Sequence, residues 1–139
     1  MDGSIIILFA AVLIVGGLLF AVIAFTKKGP STLNVERYRI KWLSIEQQVK
    51  QGEESSYHLA IMNADKVLDQ ALQERNVRGN AMGERMKTVQ QKWSNANAVW
   101  GAHKLRNRIA HEPDVRVNYG QACGALVAFK QALKAVGAI

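Results

Sequence analysis

The chain has 139 residues, of which 18 are Lys or Arg and 11 are Asp or Glu, a formal net charge of +7 at pH 7. That length holds one domain at most, and the single cysteine, Cys123, excludes an internal disulfide. The histidines His58, His103 and His111 have no acidic residues at metal-ligand spacing and no Gly-rich phosphate loop is present, so neither a metal centre nor a cofactor is expected.

Ile5 to Phe25, IIILFAAVLIVGGLLFAVIAF, runs 21 residues without a charge. A helix of that length rises roughly 31 Å, enough to cross the hydrocarbon of a bilayer. A cleavable signal peptide is the competing reading. It would begin with a basic segment and carry a shorter apolar run; here the preceding residues are MDGS, and no small-x-small cleavage site precedes TKKGP. A retained transmembrane helix is therefore expected, with the lipid bilayer as first partner. Lys27 and Lys28 follow the span, Arg37, Arg39 and Lys41 come soon after, and nothing basic precedes it. This asymmetry puts the amino terminus outside and the bulk of the protein in the cytoplasm, on the inner (plasma) membrane. The expected division is 1–4 as a short extracytoplasmic end, 5–25 as the span, 26–33 as a basic juxtamembrane linker and 34–139 as a helical domain. The segment Ser31–Ile139 holds 16 of the basic and 10 of the acidic residues, a net +6. An excess of that size suits anionic lipid headgroups or nucleic acid.

Gly29-Pro30-Ser31-Thr32 breaks the first helix and offers caps for the next. Val35, Tyr38, Trp42, Ile45 and Val49 then form one apolar stripe on a helix over 34–51, ended by Gly52. Tyr57, Ile61, Ala64, Leu68 and Leu72 give the stripe of a second helix over 55–75. NVRGN is a turn, and Asn80 is placed to cap a short third helix holding Met82, Met86 and Val89. Gly83 inside it is expected to pack against Trp93 or Trp100, since an unpacked helical glycine costs about 1 kcal/mol. Ser94 or Asn95 caps a fourth helix over 96–110, which Pro113 stops because the residue before a proline avoids the helical region. EPDVRVN is loop. The last helix, over 119–136, turns Tyr119, Ala122, Cys123, Leu126, Phe129 and Leu133 inward. The fold class is all-α: an N-terminal transmembrane helix plus a bundle of four or five helices.

The fourth helix carries the candidate chemistry. On a helical wheel Ala98, Ala102, Leu105 and Ile109 fall together and form the face that packs into the bundle. His103, Asn107 and His111 form one stripe nearly opposite, and Arg106 lies at the apolar margin, where a guanidinium needs an anion or an acid as partner. Arg106 suits a phosphate, Asn107 can orient a group, and a His can take or give a proton. The helix end favours a charged His111. His103, Lys104 and Arg108 are the accompanying candidates for substrate binding. The same residues also suit an ordinary solvated helix end or a bundle contact. If the helix does no catalysis, Arg106 is locked to an internal carboxylate such as Glu84 or Asp65; if it does, Arg106 and His111 are exposed together in a cleft.

LRNRIAHE, Leu105 to Glu112, resembles the signature of the HEPN superfamily: an Arg, four to six residues, then a His, with a polar residue often directly after the Arg. Arg106, Asn107 and His111 match it. More widely, the span, NVERYRIKWLSIEQQ, SYHLAIMNADKVLDQAL, AMGERMK, VWGAHKLRNRIAHEPD and the final amphipathic helix resemble a group of small bacterial membrane-anchored proteins. The superfamily resemblance implies a four- to five-helix bundle that pairs as a homodimer, with the Arg and His of both subunits meeting in one cleft. It implies either a metal-independent endoribonuclease, with Arg106, His111 and Asn107 as catalytic residues, or a non-catalytic module that binds RNA, a nucleotide or a protein partner. The membrane anchor, and the lack of an obvious antitoxin or nucleotidyltransferase segment, set this chain apart from the toxin members.

Overall fold

The computed structural model describes residues 2–26 and 32–139 and is all-helical. The chain divides into two compact units, with the boundary between Ser31 and Thr32. Lys27, Lys28 and the break at Gly29-Pro30-Ser31 lie outside the described residues.

The first unit contains one helix, α1 (Gly3–Thr26), two residues longer at its start than the charge-free run. None of its residues is buried, and it is long and apolar enough to cross a membrane. Its apolar side chains surround the axis evenly instead of forming a stripe, which suits a helix solvated by lipid on all sides.

The second unit is a bundle of five helices with its own core: α2 (Val35–Gln48), α3 (Glu54–Glu74), α4 (Met82–Val89), α5 (Ala96–His111) and α6 (Tyr119–Ala135). A single 3-10 turn, Gln90–Lys92, follows α4. Helix α3 is the hub, packing against α2, α4, α5 and α6. Its sequence permits this: Ala60, Ala64 and Ala71 let neighbouring helices approach, while Ile61, Leu68 and Leu72 fill the spaces between them, all fully buried. Helix α2 buries Tyr38, Trp42 and Ile45 as the periodicity requires. Helix α6 buries Ala122, Leu126, Phe129 and Leu133, but Cys123 is only half-buried and Tyr119 is exposed, its ring tilted against Tyr57 with centroids 5.9 Å apart.

The helix ends follow from local chemistry. Asn34 caps α2 by accepting the Arg37 N–H at 3.1 Å. Helix α3 ends with Asn76 in the left-handed region (φ 57°) and the Val77 N–H returning to the Leu72 carbonyl. Asn80 does not cap α4. That position falls to Ala81, and the Glu84 carboxylate accepts the Asn80 N–H at 2.7 Å. Asn95 precedes α5 but uses its amide to donate to the Ala128 carbonyl on α6. Glu112 is extended before Pro113. The loop after it is anchored: Val115 and Val117 are buried, and the Glu54 carboxylate accepts the Val117 N–H and pairs with Arg116. Asn118 and Gln121 form a reciprocal capping box on α6. Asn118→Ala is expected to cost about 1 kcal/mol, read as a lower urea midpoint at an unchanged denaturant slope.

Candidate functional site

One acid interrupts the apolar face of α3. Asp65 follows Ile61 by four residues and precedes Leu68 by three, and it is 3 % exposed. A carboxylate in such a place requires partners, and α5 supplies them. His103 Nδ1 lies 2.7 Å from Asp65 Oδ1, and Arg106 Nε lies 3.3 Å from Oδ2. Arg106 Nη1 donates to Asn107 Oδ1 at 2.9 Å, and Asn107 Nδ2 lies 3.3 Å from His103 Nε2. The four side chains close a ring: Asp65, His103, Asn107, Arg106 and back to Asp65.

Asn107 gives its carbonyl oxygen to Arg106 and turns its amide nitrogen to His103 Nε2, while His103 Nδ1 faces Asp65, so both ring nitrogens of the imidazole are engaged. The Arg106 Nε is buried and sits at ion-pair distance from Asp65 without alignment for a hydrogen bond. Its contact with Asp65 is one of charge, while Nη1 makes the directed bond. Arg106 Nη2 has no partner among the described residues, and the side chain is 31 % exposed.

This ring forms one wall of a cleft of about 590 Å³ between α3, α4 and α5. On the other side Arg85 grips Asp69 with two parallel bonds, Nε to Oδ1 at 2.8 Å and Nη2 to Oδ2 at 3.1 Å, and donates through Nη1 to the Gly79 carbonyl. Lys66 also lines the cleft, exposed and without an ion pair among the described residues. Three cations face two carboxylates here, and two of those cations are already paired. The free donors toward an incoming anion are Arg106 Nη2 and Lys66.

The sequence-derived candidates separate into two sets. His103, Arg106 and Asn107 come together in the cleft. Lys104 is exposed outside it, and Arg108 is exposed and pairs with Glu112 at 3.3 Å, one turn along. His111 is exposed, does not line the cleft, and makes no side-chain hydrogen bond or ion pair among the described residues. The expected polar stripe opposite the core is corrected at His103, which is 9 % exposed, and the expected inward face is corrected at Ala98, which is exposed. Gly83 does not pack against either tryptophan: a Cβ there would meet nothing within 4 Å, and the residue lines the cleft. Glu84 is taken by Asn80 and is not the acid beside Arg106.

Lys66, Asp69 and Arg85 were not candidates from the sequence. Their signals were present but faint: acids and a lysine within the α3 stripe, and an arginine directly before Met86 on the buried side of α4. The fold and site together define a helical bundle, following an apolar helix, with a buried Asp–His–Asn–Arg ring on the wall of a polar cleft. No family model matches the chain, and neither a curated protein nor a solved structure matches it.

Proposed function

We propose that the chain is a membrane-anchored helical module, working as a homodimer, that binds the phosphate of a nucleotide or of RNA in the α3–α4–α5 cleft without cleaving it. The observation that carries this is the Arg106 guanidinium. It is held in place by Asp65 and Asn107, yet lines the cleft with its side chain 31 % exposed and no hydrogen bond at Nη2 among the described residues. A charged donor fixed beforehand loses little freedom on meeting an anion. Cleavage has less support within the cleft, because both nitrogens of His103 are engaged. The basic residues that follow the span support a cytoplasmic position for the bundle.

One observation favours a second reading. His111, exposed at the end of α5 and unpaired among the described residues, is free to meet the Arg106 of a second copy, as a metal-independent endoribonuclease would require.

The test uses the full chain in nanodiscs, titrated into fluorescent nucleotide and single-stranded RNA by anisotropy. Lys66→Ala is expected to weaken binding several-fold without affecting the fold, and Arg106→Ala at least about tenfold, the loss of one charge-assisted contact. His111→Ala should bind as the parent does, and the RNA should stay intact. No saturable binding by the parent, or equal affinity in both cleft variants, overturns the binding proposal. RNA cut by the parent and spared by His111→Ala establishes the nuclease in its place.

A further inference from the structure

Five large apolar side chains of the bundle are exposed: Ile40, Leu43, Leu59, Tyr119 and Val127. Two of them, Ile40 at 62 % and Leu43 at 55 %, sit three residues apart on the outer side of α2. Beside Leu43 runs a groove of about 510 Å³ between α2 and α6. Its floor is Trp42, Leu43 and Ile139, and its rim is Arg39, Lys130 and Lys134. The basic cluster after the span thus disperses around α2. Arg37 pairs with Glu74 and Lys41 donates to Gln70, while Arg39 turns to the groove and joins two lysines from α6.

Two acids share this side of α2: Glu36, exposed one turn before Arg39, and Glu46, which pairs with Lys130 at 2.8 Å and accepts from the Trp42 indole. Lys130, ahead of the indole, holds the Glu46 carboxyl below its usual range, against the opposing effect of burial. Arg39 and Lys134 have no ion pair among the described residues, although Lys134 acts on Glu46 at longer range, so the groove carries three cations against Glu46 around an apolar floor. That combination matches an anionic glycerophospholipid, whose phosphate lies directly above apolar carbon.

Chain connectivity supplies the second argument. Helix α2 begins at Val35, nine residues after α1 ends at Thr26. Nine residues reach at most about 30 Å in any conformation. With α1 in a bilayer, the start of α2 is tethered within that length of the end of α1, and even a weak contact of the bundle with lipid is favoured by the resulting effective concentration.

We infer that the α2–α6 face rests on the anionic surface of the membrane that holds α1, with Ile40 and Leu43 in the interface and Arg39 and Lys134 on lipid phosphates. The inference rests on α1 being a membrane anchor and is independent of the nucleotide cleft. The orientation of the bundle on the bilayer is then set by charge and is sensitive to lipid composition and salt.

The experiment uses the full chain in a Cys123→Ser background, with an environment-sensitive fluorophore attached after Leu43→Cys or, separately, Leu13→Cys. Both proteins are reconstituted in nanodiscs of phosphatidylcholine alone or mixed with phosphatidylglycerol, and aqueous iodide quenching is measured. The Leu13 probe is expected to be shielded in both lipids. The Leu43 probe should lose at least about threefold of its quenching in the anionic discs only, and regain it with Arg39→Glu/Lys134→Glu or high salt. A shielded Leu13 probe with equal Leu43 quenching in both lipids overturns the docking and leaves the anchor standing. An accessible Leu13 probe overturns both. Shielding of Leu43 in both lipids, unmoved by the charge reversals, means that a second protein surface covers this face, and it also overturns the lipid contact.

Discussion

Asp65→Ala is expected to destabilise the bundle by about 3 kcal/mol, toward the lower end of what breaking a buried ion pair costs. The carboxylate is 3 % exposed and serves two cleft residues at once. Its removal leaves the His103 Nδ1–H sealed without an acceptor and the buried Arg106 Nε without a counter-charge. The figure stays near the lower end because the Arg106 side chain is 31 % exposed and can turn part of its charge to water. Asp65→Asn should cost less, about 1–2 kcal/mol, because an amide oxygen still accepts from His103 while the ionic contact with Arg106 is lost. With His103→Ala as the second arm, a double-mutant cycle should give a coupling of about 1–3 kcal/mol. Urea unfolding of the full chain in nanodiscs, followed by tryptophan emission, reads all of these. Trp42, Trp93 and Trp100 lie in the bundle and none is in α1, so the signal reports the bundle. A cost below about 1 kcal/mol for Asp65→Ala would mean that water reaches the ring and the site is not preorganised.

The contrast between Asp65 and His103 shows what the sequence carries and what it does not. The helices of the bundle were legible because most show one apolar stripe at a period near 3.6. The stripe of α3 matched its buried face and that of α2 did so at Tyr38, Trp42 and Ile45, with Val49 past the helix end, and Pro113 set the boundary of α5, while the Asn118 cap of α6 went unread. Helix α5 is the exception, and the site lies there. It packs against α6 on one side and α3 on the other, so it has two buried faces, and the one toward α3 is polar. A wheel read from Ala98, Ala102, Leu105 and Ile109 detects only that apolar face and assigns His103, roughly 130° from its middle, to solvent. The group that makes the burial of His103 tolerable, Asp65, is 38 residues upstream, and no local pattern links the two. Arg106 was legible as a guanidinium needing an acid because its position at the apolar margin is a local property. Which acid it meets is a tertiary property, settled only by how α3 and α5 cross. The same limit explains Gly83: a glycine within a short helix suggests close packing, but here nothing approaches it.

Two glycines four residues apart are expected to respond to alanine with opposite signs. Gly79 has φ +146°, a conformation that side chains rarely adopt, and a Cβ there would lie 2.6 Å from the Arg85 backbone nitrogen and 2.9 Å from the Glu84 carbonyl carbon. Neither neighbour can move aside, because both belong to the first turns of α4. The Gly79 carbonyl also accepts from Arg85 Nη1, the same guanidinium that grips Asp69 across the cleft. Gly79→Ala therefore adds backbone strain and a clash with main-chain atoms, and it pushes the turn off α4. A loss of roughly 2–4 kcal/mol is expected, as one strained residue alone costs about 1–3 kcal/mol. The displaced turn takes with it one of the contacts that hold Arg85 in the cleft wall, so ligand affinity should fall with stability. Gly83 is helical and a Cβ there meets open space. Gly83→Ala should then raise stability by about 0.5–1 kcal/mol, since alanine loses less backbone entropy in a helix. The same tryptophan-monitored unfolding reads both variants. Shifts of the midpoint in the same direction would show that the Val77–Ala81 turn does not wrap over α4 as described, and Arg85 would lose its assigned place in the cleft.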